Sequence, residues 1–312
     1  MVEPVAALAI AIDVAVGWPA AVYARIGHPV GGFARLIGYA ERRWNRPTSS
    51  TGTRRLAGIL TIIFLLSATI ATTLPAAALA RQLFGPATWI AIAVMAAPAL
   101  AMRSLHDHVK PVAQALEQND LDAARTCVSM IVGRDVTALD ESGVARAAVE
   151  SLAESVCDGV VAPLFWLLVA GLPGIWTYKA INTADSLIGH REDRWRAFGW
   201  AAARTDDLAN LIPARISGVA LCLAGAGGWR TMMRDARSHA SPNAGWPEAA
   251  MAGALGVQLA GPIAYDGIVA DKPYIGSGNR DLGARDIRRA LRVYRRTCIL
   301  LLVIAGLFAW LR

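Results

Sequence analysis

LAGILTIIFLLSATIATTLPAAALA, residues 56–80, runs for 25 positions without a charged side chain. As a helix rising 1.5 Å per residue it measures about 37 Å, more than the ~30 Å hydrocarbon core of a bilayer. The segment therefore predicts a membrane-spanning helix, and that reading sets the class of the whole chain. Similar apolar runs at 5–24 and 298–311, the latter followed by Arg312, predict two more spans, with a fourth around 88–102. The last two fall short of the ~20 residues a span requires, so they are expected to recruit flanking residues or to lie in a thinned bilayer. Composition agrees. Of 312 residues, 55% are apolar and 18% charged, whereas a soluble domain is about one quarter charged.

The loop between the first two spans, GHPVGGFARLIGYAERRWNRPTSSTGTRR, carries Arg35, Arg42, Arg43, Arg46, Arg54 and Arg55 against the single acid Glu41. Flanking basic residues mark the cytoplasmic side of a membrane protein, which places this loop inside, the N-terminus and the 81–87 turn outside, and the stretch from Arg103 inside again. The formal net charge of +7 follows from such loops, and no basic run interleaved with aromatics provides a nucleic-acid platform. The N-terminal MVEPVAALAIAIDVAVGW has an acidic lead-in and Asp13 inside its apolar run, unlike a cleaved signal peptide. Cys127, Cys157, Cys222 and Cys298 are widely separated and form no zinc or disulfide pattern, so they are expected to be reduced core residues.

From 103 to 159 apolar residues recur at three- and four-residue spacing, as in amphipathic helices packed on protein. Two apolar stretches, 160–178 and 216–229, are interrupted by Pro and Gly. If both crossed the membrane, the loop holding Lys179, Arg191, Arg194, Arg196 and Arg204 would lie outside, against the positive-inside rule. Re-entrant or partly buried helices are expected there instead. The fold is expected to be all-α: a polytopic membrane protein with about four to six membrane-embedded helices, some re-entrant, and cytoplasmic amphipathic helices. Residues 1–312 read as a single catalytic domain.

Three polar clusters carry the chemistry. Glu154 and Asp158 stand four apart, on one helical face, directly before an apolar run. Two like charges at that spacing repel and call for a cation; the plainer alternative is a solvated surface pair. In KAINTADSLIGHRED, Lys179, Asn182, Asp185 and Ser186 share a helical side. Oxygen ligands of this kind suit Mg²⁺, and Lys179 can meet a phosphate, or simply snorkel at the interface. In RTDDLANLIPAR, Asp207 and Asn210 share a face, Asp206 and Asn210 nearly do, and Arg204 and Arg215 flank the set. Together these clusters suggest a site for Mg²⁺ and polyphosphate at the membrane surface.

Softer candidates are the in-span Asp13 with His28 behind it, Arg134 and Asp135 in GRDV, expected as a simple ion pair, and Ser241, Asn243 and Glu248 in SPNAGWPEAAMAGALG, whose small-residue helix can pack closely on another. DKPYIGSGNRDL offers Lys272 and Arg280 among glycines that let backbone approach an anion, without forming a Walker loop. His106 and His108 lack partners at metal-ligand spacing and are expected at the surface.

The motifs HPV, GRDV, ARAAVESLAESVCDGVVAPLFW, KAINTADSLIGHR, DDLANLIPAR and SPNAGWPEAAMAGALGVQL occur in this order. The chain closely resembles the adenosylcobinamide-phosphate synthase family of cobalamin biosynthesis, the CobD/CbiB family, over nearly its whole length. Two departures stand out: Ser155 where many members carry Asn in ENxxDG, and a non-acidic GSGN at 276–279. The resemblance implies a multi-pass enzyme of the cytoplasmic membrane, its active site facing the cytoplasm, that joins adenosylcobyric acid to aminopropanol or its phosphate with ATP and Mg²⁺.

In that scheme Glu154, Asp158 and Asp185 hold the metal, Lys179 and Arg191 stabilise phosphoryl oxygens, and Asp206 or Asp207 binds a second metal or accepts the amine proton. Asp13, His28, Arg134, Asn182, Asn210, Asn243, Lys272 and Arg280 are candidates for substrate contact. The lipid bilayer is the expected surrounding partner; homo-oligomerisation and association with other enzymes of the pathway stay open. Two other classes stay open as well, a membrane transferase acting on a prenyl diphosphate through Asp-rich motifs and a non-enzymatic sensor on the same fold.

Overall fold

A computed structural model describes residues 4–261, 263–265, 268–270 and 273–310, with the strands at 263–265 and 268–270 described as backbone only. The chain is 77% helix and 2% strand, and it divides into two compact units, each built from separate stretches of sequence. Unit 1 comprises 1–101, 162–210 and 305–312; unit 2 comprises 102–161 and 211–304.

Among the described residues three helical stretches are long and apolar enough to cross a membrane, Thr51–Glu117, Glu141–Ile188 and Ala284–Trp310, and two bent helix pairs raise the number to as many as five. The expected count of four to six overlaps this range. The predicted span at 5–24 is not one continuous helix. Helix α1 (Val5–Ala15) stops, Gly17 takes a φ of 63°, and the chain resumes as α2 (Ala20–Ile26) and α3 (Pro29–Trp44), with a bend of 98° across the pair. The physical reason lies in Gly17-Trp18-Pro19: glycine supplies the left-handed turn and proline starts the next helix. The indole of Trp18 donates back to the Gly27 carbonyl at 3.2 Å.

In unit 1, α4 (Thr51–Phe84) contains the 56–80 segment. Its threonines fit an apolar setting because Thr61, Thr69 and Thr73 each donate to the carbonyl four residues back, at 2.7–2.8 Å. Leu56, Leu60, Ile63 and Phe64 project from it more than half exposed, a face suited to lipid. Helix α5 (Thr88–Ala96) packs on α1, and α9 (Ala162–Ile188) packs on α3, α4 and α10 (Trp200–Ala209). The core joins Ile37 of α3, Ile62 and Leu65 of α4, Ala184 and Ile188 of α9, and Phe198.

Close approach in this core depends on glycine. A Cβ on Gly58 would lie 1.8 Å from the Phe198 carbonyl oxygen, and one on Gly199 would lie 1.6 Å from that of Ile188. The segment 189–199 is thereby pressed onto α4 and the end of α9.

The Pro- and Gly-interrupted stretch 160–178 is broken as its sequence suggests. Within α9, Ala170 and Gly171 leave helical geometry, Gly171 at φ 61° and ψ −148°, just before Pro173. Upstream of α9, residues 157–161 form a π-helical segment. Even so, Glu141–Ile188 is long and apolar enough to cross a membrane.

Unit 2 holds the amphipathic helices expected between 103 and 159: α6 (Met102–Glu117), α7 (Leu121–Ser129) and α8 (Glu141–Val156). Asp120 and Asp140 cap α7 and α8, accepting from the Ala123 and Gly143 amides at 2.9 and 2.7 Å. Helices α11 (Leu211–Ala224), α12 (Trp229–Asp235) and α13 (Gly245–Leu255) pack through small residues. A Cβ on Gly253 would meet the Gly228 Cα at 2.7 Å, so the small-residue helix does pack closely on a neighbour. Helix α14 (Ala284–Trp310) shows how the short final span gains length, since its apolar end continues an Arg-rich N-terminal half.

Gly58→Ala should lower the unfolding midpoint of the purified protein, because the new methyl meets backbone and repacking costs about 1–3 kcal/mol. Gly52→Ala, with only a side-chain oxygen at 3.9 Å from its Cβ, should leave the midpoint unchanged or raise it. Equal behaviour of the two in thermal unfolding would refute the close-approach account.

Candidate functional site

Unit 1 brings most of the predicted catalytic set onto two packed helices. Lys179, Asn182 and Asp185 lie half-buried along the C-terminal half of α9. The Ser186 hydroxyl turns back to the Asn182 carbonyl at 2.9 Å and so serves its own helix. Asp185 is fixed in place by its neighbour four residues on: the Gly189 amide donates to its carbonyl at 2.7 Å. A Cβ on Gly189 would fall 1.9 Å from Asp185 Oδ1, so only glycine leaves room for the carboxylate as it stands.

At the C-terminal end of α10, Asp206 and Asn210, which spacing places nearly on one face, form a hydrogen-bonded pair. Asn210 Nδ2 donates to Asp206 Oδ2 at 3.0 Å, and the Tyr178 hydroxyl donates to Asn210 Oδ1 at 3.0 Å. All three residues are buried. This chain of neutral donors orients a carboxylate in an apolar environment, where each group needs a partner. Asp207 pairs with Arg204 at 3.3 Å and lies within electrostatic range of Arg191. The exposed Arg191 thus stands near the acid of α10 on the segment between α9 and α10.

That segment is anchored by residues the sequence reading passed over. Arg194 donates Nε and Nη2 to the two carboxylate oxygens of Glu41 at 3.0 and 3.1 Å. Asn45 donates to the Arg194 carbonyl at 2.7 Å, and Arg54 donates to the Asp193 carbonyl at 2.9 Å. The only sequence signal was Glu41 itself, a lone acid in an Arg-rich loop.

Asp13 is buried in α1. His28 caps α3: its Nδ1 accepts from the Val30 amide at 3.2 Å, its ring bonds to the Pro98 carbonyl, and it lies within electrostatic range of Lys179. Both of its nitrogens therefore have backbone partners.

In unit 2, Glu154 is exposed at the end of α8 and Asp158 is half-buried in the π-helical segment that follows. π-helical turns inside helices are frequent at functional sites because they redirect side chains. Continuing back along α8 in steps of four gives Glu150, Arg146 and Ser142, and this stripe holds the backbone at Ala260 and Arg280. Ser142 and Arg146 donate to the Arg280 carbonyl at 2.9 and 2.8 Å. Glu150 accepts from the Ala260 amide at 2.7 Å. Ala260 pairs with Tyr274 in a two-residue antiparallel ladder.

Arg134 pairs with Glu150 at 2.9 Å, both side chains mostly buried. This corrects the expected Arg134–Asp135 ion pair. The Asp135 carboxylate instead accepts from the Thr137 amide at 2.9 Å and hydroxyl at 2.7 Å, which holds it below the usual aspartate range.

Arg280 donates to Gln258 at 2.7 Å and lies over the Tyr274 ring at 4.5 Å. Lys272 lies outside the described residues. The glycines of 276–279 do serve close backbone approach, although the partner is protein. A Cβ on Gly278 would meet the Gly256 carbonyl oxygen at 1.8 Å. The Gly276 amide donates to Asp235 at 2.9 Å, and Asp235 is held below its ordinary range chiefly by its bonds to Arg234.

Asn243 is buried and accepts from Arg215 at 2.9 Å; Arg215 lies within electrostatic range of Cys157, next to Asp158. Glu248, also buried, stands 3.5 Å from His239. All four cysteines are free thiols.

Among the described residues no three or more His, Cys, Asp or Glu side chains gather closely enough to hold a metal by themselves. Mg²⁺ does not ask for that. It is commonly bound by one or two carboxylates, with water and phosphate oxygens completing the shell. The Glu154/Asp158 pair in unit 2 and Asp185 with the amide of Asn182 in unit 1 supply hard oxygen donors of this kind.

The family described as CobD/Cbib protein matches residues 6–294. The chain is 53% identical over 308 residues to "Cobalamin biosynthesis protein CobD" of Rhodobacter capsulatus, covering 97% of this chain and 96% of the relative. It is 45% identical over 311 residues to the protein of that name from Brucella anthropi, with 96% and 95% covered. The Rhizobium meliloti protein of the same name is 43% identical over 301 residues, with 93% and 92% covered. No solved structure matches. With the family matched over nearly all of its length and relatives of one name aligned almost end to end, the chain belongs to the CobD/CbiB family of cobalamin biosynthesis proteins.

Proposed function

We propose that this protein is an adenosylcobinamide-phosphate synthase of the cytoplasmic membrane. In this reading it condenses adenosylcobyric acid with aminopropanol or its phosphate, at the expense of ATP, on a face open to the cytoplasm. The observation that carries the reading is the family match over residues 6–294. The Lys179, Asp185, Arg191 and Asp207 arrangement of unit 1 supports it with groups suited to phosphoryl chemistry.

A carboxylate is a poor electrophile. Transfer of the γ-phosphoryl group of ATP to a carboxylate oxygen gives ADP and an acyl phosphate; attack of the amine on the acyl carbon forms the C–N bond, expels inorganic phosphate and releases a proton. Lys179 and Arg191 place positive charge where phosphoryl oxygens gain negative charge during transfer. Asp207, close to Arg191 and half-buried, is the acceptor for the amine proton. The buried Tyr178–Asn210–Asp206 chain holds α10 in register with α9, so that these groups stay oriented. Glu154 and Asp158, and separately Asp185, would hold Mg²⁺, which when bound neutralises phosphate charge.

Asp158→Asn and Asp185→Asn each preserve shape and remove one charge, so folding should survive while Mg²⁺-dependent turnover falls by about 100-fold or more. Glu141→Gln, at the exposed start of α8, should stay near wild type. If Glu154 and Asp158 share one ion, the double change should cost much less than the product of the single changes. Normal turnover of Asp158→Asn at limiting Mg²⁺ would return the pair to solvated surface acids.

The reaction itself is tested by following ATP with purified protein in nanodiscs. ATP should be consumed only when cobyric acid and the amine are both present, with release of ADP and inorganic phosphate. AMP and pyrophosphate as products would replace the acyl phosphate by an acyl adenylate. Turnover of a prenyl diphosphate without ATP would defeat the assignment.

Sidedness follows from the shared basic character of 25–55 and 179–215. A cysteine introduced beside Arg191 should escape an impermeant thiol reagent applied to intact cells. Labelling there would put the segment outside, beyond the reach of cytosolic ATP.

A further inference from the structure

Helix α14 begins ARDIRRALRVYRR, with six arginines in thirteen positions, and the protein neutralises only some of them. Arg288 donates to both carboxylate oxygens of Glu117 at 2.8 and 2.6 Å. Arg289 donates to Asp286 at 3.1 Å and to the Leu255 carbonyl at 2.6 Å. Arg292, Arg295 and Arg296 are exposed, and none of them ion-pairs with a carboxylate among the described residues. Like charges three and four residues apart on a helix repel, so this trio calls for an anion.

The trio and the apolar part of α14 look outward on one face. In steps of three and four, Arg292, Arg295 and Arg296 lead to Ile299, Leu302 and Val303, and all six are exposed. The opposite side of the same turns, Ala290, Tyr294 and Thr297, is buried. The Tyr294 hydroxyl donates to the Met102 carbonyl at 2.6 Å, which fixes the rotation of α14 against unit 2.

The length of the apolar part sets the depth of that face. From Thr297 to Trp310 the helix carries no charged residue, a rise of about 21 Å against the ~30 Å hydrocarbon core. A span this short is accommodated by local thinning and by flanking arginines that snorkel, which draws Arg295 and Arg296 to the level of the lipid phosphates. Guanidinium pairs with phosphate oxygens through parallel N–H bonds, a geometry that suits it better than any neutral headgroup atom. A soluble anion would touch the arginines alone, whereas a phospholipid also covers Ile299 and Val303, which are 61% and 51% exposed.

We propose that the face of α14 formed by Arg292, Arg295 and Arg296 holds the phosphate of an anionic phospholipid, with its acyl chains along Ile299 and Val303. The proposal rests on α14 as a membrane helix and is independent of the reaction assigned above.

The full chain is reconstituted in nanodiscs of phosphatidylcholine alone or doped with phosphatidylglycerol. Lipid retained by the released protein is counted by native mass spectrometry, and the thermal midpoint is read in both bilayers, so that each variant is compared with itself. Wild type should retain phosphatidylglycerol and unfold at a higher temperature in its presence. Arg295→Gln and Arg296→Gln should each weaken that affinity about fivefold, the equivalent of ~1 kcal/mol for one basic residue at a membrane surface. Arg296→Lys should keep most of it. Arg285→Gln removes the same charge from the exposed side of the same helix, about 21 Å in rise from Ile299, and should have no effect. An equal loss with Arg285→Gln would mean diffuse surface charge, and unchanged affinity in both Arg295→Gln and Arg296→Gln would remove this face from lipid binding. Displacement of phosphatidylglycerol by inorganic phosphate or glycerol phosphate would identify a soluble anion as the ligand, and a lipid-free dimer would assign the face to a second copy of the chain. Each of these four results overturns the proposal.

Discussion

Glu41 and Arg194 are 153 residues apart and joined by two hydrogen bonds. The pair is asymmetric, with the Glu41 side chain 10% exposed and that of Arg194 63% exposed. An ion pair so open on one side gains little from Coulomb attraction, since water screens the guanidinium. Its importance lies in the buried partner, which cannot be left without a cation. Burial of Glu41 among the side chains of α3 therefore dictates that the 189–199 segment closes over it. Once that segment is held, Phe198 and Gly199 press onto α4 and α9, and Arg191 emerges near Asp207. The placement of the predicted catalytic arginine is a consequence of where a single acid is buried.

Much of this fold was legible because it follows from local rules. Residues 56–80 formed a long helix although Pro75 lies inside it, since an uncharged apolar run satisfies its backbone within the helix, and the amphipathic stretches between 103 and 159 formed helices whose apolar faces are buried. The small-residue helix at 245–255 packs closely, as Gly and Ala at those positions allow. What local rules did not give were the breaks. At 5–24 an apolar average conceals Gly17-Trp18-Pro19, and a three-residue interruption turns the chain through a right angle without altering composition. Long-range pairing was equally hidden. Arg134 has an acid beside it, yet that carboxylate is engaged by the amide and hydroxyl of Thr137, and it is Glu150, on α8, that accepts the charge of Arg134.

The candidate site shows the same division. Carboxylates and amides at helical spacing pointed to α9 and α10, and Lys179, Asn182 and Asp185 do share a side of α9. Spacing alone could not decide between Asp206 and Asp207 as the partner of Asn210, because one stands four residues and the other three residues before it, and both intervals bring helical side chains together. Asp206 is the one that takes the amide nitrogen of Asn210, as an acceptor-only carboxylate must, and the buried Tyr178 hydroxyl then donates to the amide oxygen. The stripe from Ser142 to Asp158 was visible at intervals of four, but only its last two members were read as functional. Its first three fasten the segment around Tyr274 and Arg280 instead. One helical face thus serves as a clasp at one end and a carboxylate pair at the other.

Polar chemistry in an apolar chain needs departures from regular helix, and here each departure sits close to an ionisable group. A regular helix in lipid has every backbone group satisfied and offers side chains only at fixed angles. The Gly17–Pro19 turn follows Asp13, the π-helical segment contains Asp158, and the break at Ala170 and Gly171 precedes Lys179 by two turns. Freed carbonyls at such points are costly in hydrocarbon and are tolerated where protein or water covers them. They also re-aim the residues that follow, which a change of sequence within an unbroken helix cannot do. Interruptions that weaken the case for simple spans are therefore the same features that re-aim ionisable side chains within each unit.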